Sequence, residues 1–225
     1  MSMPEATFTK NDYAYGQLRT RILTGTLEAG SVIGQAKLAA ELGVSTTPLR
    51  EAIRRLAAEG MIDLEAHRDA RVTAVSADEA RHLYQVRESL DPLATSLAAQ
   101  HRTKSDIARM EFALSRLEPI TDAADLDALL RHREFHRAVY RASANPVLID
   151  ILERLWDKAD RYRLVGLRHG GDTERDRARV EAEHTAIYEA VATGNADAAA
   201  EVMTEHIRRS LGRRAIVALG DSAQV

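Results

Sequence analysis

Apolar positions recur at helical spacing along the whole chain, in short runs up to about residue 75 and in long ones beyond it. Residues 1–10 show no period and are expected to form a disordered arm. Tyr15, Leu18 and Ile22 then lie three or four apart, which predicts a helix over roughly 12–25 that ends at Gly25. Glu28-Ala29-Gly30 reads as a turn. Leu38, Ala39 and Leu42 predict a second helix at 35–42, with Gly43 where a helix end favours a left-handed residue. Ser45 is a suitable cap for a third helix at 46–59, whose inward face is Leu49, Ile53, Leu56 and Ala57, and Gly60 closes it. Met61-Ile62-Asp63-Leu64-Glu65 alternates apolar and polar, and Arg71-Val72-Thr73-Ala74-Val75 resumes in β-prone residues after the polar stretch 66–69, predicting a small hairpin.

From Ser76 the texture changes. Ser76-Ala77-Asp78-Glu79 is a capping-box pattern and opens a helix through about Gln100. Further helices fit roughly 104–118, 122–143, 147–168, 173–193 and 195–217, separated by Pro119, Asn145-Pro146, Gly170-Gly171 and Gly194-Asn195. The expected fold is mostly α, an N-terminal winged helix-turn-helix over residues 1–75 plus a C-terminal all-α helical bundle over 76–225.

Composition narrows the chemistry. The 225 residues include no cysteine, so a disulfide framework, a zinc ribbon and a thiol nucleophile are all excluded, and any metal site must use His, Asp or Glu. No apolar stretch approaches the length of a membrane span and the N-terminus does not resemble a secretory signal, so a cytoplasmic protein with no membrane partner is expected. With 31 Lys and Arg against 34 Asp and Glu, bulk charge does not announce nucleic-acid binding, and the case rests on where the charges sit. Thr46, Arg50 and Arg54 are spaced by four, so a hydroxyl and two guanidinium groups share one helix face opposite Leu49, Ile53 and Leu56. Spacing alone is equally compatible with a solvated helix face.

The run Gly43-Val44-Ser45-Thr46-Thr47-Pro48-Leu49-Arg50-Glu51-Ala52-Ile53-Arg54-Arg55-Leu56-Ala57-Ala58-Glu59-Gly60 resembles the DNA-binding core of the GntR family of bacterial transcription regulators, and Leu23 to Gly30 is similar to that family's helix-to-turn segment. The resemblance implies that Ser45, Thr46, Thr47 and Arg50 contact operator phosphates and base edges, with Arg54 on the same face and Arg68 in the wing. Arg50 is the foremost of these, because a guanidinium pairs in bidentate fashion with guanine. Two positions depart from the family pattern, Thr46 where many members have Arg and Asp69 where many have a wing-tip Gly.

His132 and His136 stand one turn apart on one predicted helix, a common way to present two metal ligands and also compatible with surface or core histidines. His184, four residues after Val180 and three before Ile187, points inward, and His206 lies close to the stripe of Val202, Met203 and Ile207. Imidazoles brought into one bundle interior from three helices are costly if left unpaired, which favours a metal. This set resembles the FCD effector domain of the FadR subgroup, whose metal-binding members usually carry an Asp and a His four apart followed by single histidines on two later helices. His132 occupies the Asp position here, so the resemblance implies an all-imidazole set of His132, His136, His184 and His206. Such a set suits zinc first and nickel second and disfavours Ca²⁺ or Mg²⁺.

A dipositive centre with an open position attracts a carboxylate, so a small organic or sugar acid is the expected effector. Arg87 resembles an arginine that faces the effector cavity in the subgroup, and Arg161 and Arg163 are further candidates. The alternative for each is pairing with neighbouring acids such as Glu88 or Asp157. A homodimer on a pseudo-palindromic operator is expected, since one recognition helix reads only a few base pairs. A closed four-histidine site of purely structural role stays open as an alternative. A zinc hydrolase is disfavoured, because Arg133 stands where a zincin motif needs Glu directly after its first His.

Overall fold

Thr9 and Asp12 cap each other, and this sets the start of the first helix. The Thr9 hydroxyl accepts the Asp12 amide and the Asp12 carboxylate takes the Thr9 amide, so α1 runs from Lys10 to Leu23. The computed structural model describes residues 9–64, 69–120, 126–170 and 173–221; the expected N-terminal arm therefore lies, up to residue 8, outside the described residues, as does the hairpin tip at 65–68. Packing divides the chain into two compact units, Met1–Val75 and Ser76–Val225.

In the first unit α2 (Gln35–Leu42) ends at Gly43, which takes φ of 65°, a left-handed conformation that costs a residue without Cβ little. Ser45 occupies the N-cap of α3 (Thr46–Ala58), but its hydroxyl makes no capping hydrogen bond. Pro48 is tolerated within the first turn, where amides have no helical acceptor. Leu18 and Ile22 of α1, Leu38 and Leu42 of α2, and Leu49, Ile53 and Leu56 of α3 are all buried, so the three apolar stripes close on one core. The hairpin is shorter than its sequence suggests, β1 (Ile62–Asp63) and β2 (Arg71–Val72) pairing Ile62 with Val72 and Asp63 with Arg71. The segment before α2 also joins β2, through Gly30 N–H to the Val72 carbonyl and Val72 N–H to the Ser31 carbonyl.

In the second unit the described helices are α4 (Ala77–His101), α5 (Lys104–Ser115), α6 (Leu126–Ala142), α7 (Pro146–Gly170), α8 (Glu174–Thr193), α9 (Ala196–Arg208) and α10 (Leu211–Asp221). Residues 121–125, within which the sequence reading starts a helix at 122, lie outside the described residues. Only half of the expected capping box forms at α4. The Ser76 hydroxyl accepts the Glu79 amide, whereas the Glu79 carboxylate turns to Lys158 and Tyr162, and the Ser76 amide donates to the Tyr162 hydroxyl instead.

The single helix expected over 195–217 is two helices, which corrects the count in this region. The ladder breaks at Arg209 and Ser210, and the break lays α10 across α7 and α4. A Cβ on Gly166 of α7 would lie 2.0 Å from the Leu211 carbonyl oxygen, and one on Gly212 would lie 1.6 Å from the Tyr84 hydroxyl. Two glycines thus admit a close helix crossing whose packing outweighs continuing the helix. Trp156, Tyr84, Tyr140, Phe135 and Leu129 fill the interior of the bundle. Among the described residues, no helix is long and apolar enough to cross a membrane.

Candidate functional site

The first unit presents α3 with its polar face open. Ser45, Thr46, Thr47, Arg50 and Arg54 are all exposed, opposite the buried Leu49, Ile53 and Leu56. Arg50 is steadied by Gln35 at the start of α2, whose side-chain carbonyl accepts from its Nε at 3.3 Å, a partner the sequence reading missed. Arg54 pairs with Glu51 one turn earlier. Arg68 lies outside the described residues.

In the second unit, α6 supplies His132 and His136, α8 supplies His184 and α9 supplies His206. The four are buried, between 0% and 6% exposed, and each offers a ring nitrogen within 4.8 Å of the others. His184 Nε2 lies 3.1 Å from His132 Nε2 and 3.2 Å from His136 Nε2. Two ligands of one tetrahedral zinc stand about 3.3 Å apart, so these spacings suit a shared ion. Burial holds His132, His136 and His184 well below the ordinary imidazole value, and the charges of Arg163 and the neighbouring rings act in the same direction. His206 is lowered by burial too, with the Glu183 carboxylate opposing. Neutral imidazoles are the form that ligates.

Outer partners orient two of the rings. The Nδ1–H of His184 donates to the Val180 carbonyl at 2.6 Å, and that of His206 to Glu183 at 2.9 Å, leaving each Nε2 lone pair directed into the cluster. His206 Nε2 and His136 Nδ1 are buried without a hydrogen-bond partner, an expense that a bound cation at the first of them would remove. The donor set therefore fits a divalent transition metal, held by imidazoles from three helices.

Beside the cluster opens a cavity of about 290 Å³, lined by His132, His184, His206 and Arg163 together with Arg177 and Arg209. It sits at the small end of small-molecule pockets, which run from about 300 to 1,000 Å³, and suits a metabolite of few heavy atoms. The three candidate arginines separate here. Arg163 is buried, lines the cavity and donates to His132 Nδ1 at 2.8 Å. Arg87 is also buried, but it pairs with Asp91 at 2.8 Å beneath Trp156 and does not line the cavity. Neither Glu88 nor Asp157 is the Arg87 partner; those acids bind Arg213 and Arg133. Arg161 is buried away from the cavity lining, and its charge acts on Glu79 and Tyr162. The sequence reading passed over Glu183, which no local signal connects to His206, and Arg177, whose i, i+4, i+7 spacing to Glu181 and His184 marked a shared face.

A three-helix unit with a short wing, followed by a helical bundle with a buried histidine cluster, is the architecture of a DNA-binding regulator with a second, helical domain. Comparison with known proteins agrees. Residues 10–72 match "Bacterial regulatory proteins, gntR family" and residues 82–209 match the FCD domain, so the chain belongs to the GntR family of bacterial regulators that carry an FCD domain. It is 28% identical over 199 residues to the HTH-type transcriptional repressor GlaR of Escherichia coli, covering 86% of this chain and 90% of that protein. It is 27% identical over 194 residues to the regulator YdhC of Bacillus subtilis, covering 85% of each. The fold is shared with the E. coli McbR/YncC structure, with a TM-score of 0.73 and 21% identity over 89% of this chain and 94% of that one. The relatives are transcriptional regulators, the chain is one too and not an enzyme, and regulators of this family bind operator DNA.

Proposed function

We propose that this chain is a repressor whose grip on operator DNA is set by a small organic or sugar acid bound beside a divalent transition metal. In this reading residues 1–75 form the DNA-binding head, with Ser45, Thr46, Thr47, Arg50, Arg54 and Arg68 on the operator. Residues 76–225 form the effector and dimerisation domain of a FadR-type regulator, and two copies read a pseudo-palindrome. His132, His136, His184 and His206 hold the metal, zinc first and nickel second. When bound, the ion supplies a fixed positive charge at the cavity that draws a carboxylate. Arg163, with Arg177 and Arg209 also lining the cavity, supplies the cationic side chains. Repression rests on the named repressors among the relatives, GlaR being one.

The observation that carries the reading is the convergence of four buried, neutral imidazoles, three of which (His132, His184 and His206) line a small cavity that arginines also line. A metal of purely structural role would not need that adjoining space. Control follows by linkage, since an acid that binds the DNA-incompetent arrangement more tightly lowers operator affinity by its preference between the two.

The test is thermal melting of the zinc-reconstituted protein against a panel of organic and sugar acids, followed by gel shifts on a duplex that the protein selects from a random-sequence pool. One acid is expected to raise the melting temperature only in the presence of metal and to change operator affinity on the order of 5- to 150-fold. Operator affinity and melting temperature insensitive to every acid would remove the effector from the account.

A further inference from the structure

The four rings are not equivalently prepared for a cation. In His184 and His206, Nδ1 donates to an oxygen and Nε2 keeps its lone pair for the cluster. In His132 the polarity is reversed, because Nδ1 faces Arg163 Nη1 at 2.8 Å in a buried contact. A guanidinium has donors only. Nδ1 of His132 is therefore the accepting nitrogen, and in the neutral ring the hydrogen sits on Nε2. That hydrogen has a partner, the Nε2 lone pair of His184 at 3.1 Å, so a relay runs from Arg163 through His132 to His184.

This relay is complete in itself and incompatible with His132 as a ligand. A neutral ring with hydrogen on Nε2 has no lone pair there to give a cation. To ligate through Nε2, His132 must take the other tautomer, and its Nδ1–H would then confront an Arg163 N–H at 2.8 Å, donor against donor. Such an arrangement leaves two buried donors unsatisfied, which disfavours it. Arg163 has somewhere to go. It already lines the cavity, its guanidinium carbon lies 5.3 Å from the Trp156 ring centroid, and its nearest carboxylate, Asp160, is 3.8 Å away.

We propose that Arg163 and a metal ion are mutually exclusive partners of His132. When His132 becomes a ligand its hydrogen passes, through solvent water, from Nε2 to Nδ1 with no net gain or loss of protons. Arg163 is thereby released from the ring into the cavity, where its guanidinium takes a carboxylate. The acid site is completed only once the metal is in place, and by reciprocity an acid that holds Arg163 in the cavity tightens metal binding by the same factor. The inference rests on the metal reading above and adds to it an order of events, metal first and acid second. The sequence carries the reason this chain needs such a device: an Asp at position 132 would pair with Arg163 without any tautomer to change, whereas His132 cannot.

The experiment is ¹⁵N NMR of the full-length protein labelled at histidine, which distinguishes the two tautomers by the shifts and couplings of Nδ1 and Nε2. In the metal-free protein at neutral pH His132 is expected to carry its hydrogen on Nε2, and after one equivalent of zinc on Nδ1. Arg163→Met is expected to raise zinc affinity on the order of 10-fold, because the donor that would be left unsatisfied on ligation is gone. Acetate, as the simplest carboxylate probe, is expected to stabilise the zinc-loaded natural chain and not the zinc-loaded variant. Zinc bound with the hydrogen still on Nε2 would overturn the proposal while leaving a three-histidine metal site intact. A metal-free His132 already carrying its hydrogen on Nδ1 would overturn it equally, and equal acetate stabilisation of both chains would remove Arg163 from carboxylate binding. Absence of zinc binding altogether is a different failure, that of the metal reading itself, and it takes this inference with it. If Arg163→Met does not fold, the tautomer measurement on the natural chain decides alone.

Discussion

Acidifying the metal-free protein should unfold the helical unit through its histidines, at a pH where carboxylates are still ionised. Burial holds His132, His136, His184 and His206 below the ordinary imidazole value, so these rings stay neutral in the folded chain while the same rings in the unfolded chain protonate near pH 6.5. Above that value neither state binds protons and their contribution is fully present. As pH falls below it the unfolded state binds more protons and stability declines, until the folded-state values are reached. At pH 5.5 each unfolded imidazole is about 90% protonated, so four of them bind roughly 3.6 protons that the folded cluster refuses. That corresponds to a loss of about 5 kcal/mol per pH unit if all four stay neutral. A domain has about 5–15 kcal/mol in total, so a loss at that rate exhausts the lower end of this range within about one pH unit and the upper end within about three.

Urea titrations in the presence of a chelator, at closely spaced values between pH 7 and 5.5, would measure this slope. Trp156 is the only tryptophan, and its ring centroid lies 5.1 Å from His136 and 5.6 Å from His132, so its fluorescence reports the unit in question. A slope below about 1.4 kcal/mol per pH unit, the equivalent of one proton, would mean that the rings are not held neutral together and would refute the reasoning.

Arg50→Ala is expected to weaken operator binding about 5- to 150-fold in gel shifts, the worth of one bidentate base contact of about 1–3 kcal/mol, and an unchanged affinity would remove Arg50 from the reading face. Glu183→Leu deprives His206 Nδ1 of its acceptor at 2.9 Å and is expected to weaken zinc binding about 10- to 100-fold in a chelator competition, with Glu183→Gln losing less because it keeps an acceptor. Gly166→Ala places a methyl group 2.0 Å from the Leu211 carbonyl oxygen, backbone that cannot rotate aside, and should lower stability by about 1–3 kcal/mol or more in thermal melting; a neutral result would show that the crossing of α7 and α10 is looser than described.

Much of the fold is legible because local signals and packing agree. At α2 the apolar set Leu38, Ala39 and Leu42 is buried and Gly43 has positive φ, so the expected range 35–42 is the observed one. Agreement fails where packing overrides a local pattern. Apolar spacing runs on past Arg209, and nothing local foretells that Gly166 and Gly212 invite α10 to fold across α7. The strand-like pairing of residues 30–33 with β2 escapes for a related reason, since Val32 and Ile33 are too few to show a period.

The cluster is legible to a similar depth. Helical spacing to Val180 and Ile187 turns His184 inward, and spacing to Met203 and Ile207 does the same for His206; the two are 1% and 3% exposed. Spacing cannot say which arginine meets the rings, because that depends on how α7 rotates against α6. One clue was present. Asp91 stands four residues after Arg87, the spacing of a helical ion pair, and it claims Arg87 in the core. The reversed hydrogen-bond polarity at His132 is a matter of tautomers and tertiary contact, which no sequence pattern encodes.

The claim on which the functional account turns is that the four histidines hold a metal. The measurement that tests it most directly is metal content of the purified, untagged protein, before and after reconstitution with zinc or nickel, alongside His184→Ala. The account predicts one divalent transition metal per chain in the natural protein and its loss in the variant. No metal under either condition would contradict the four-histidine centre, and with it the metal-anchored acid, while leaving the assignment to the family of DNA-binding regulators in place.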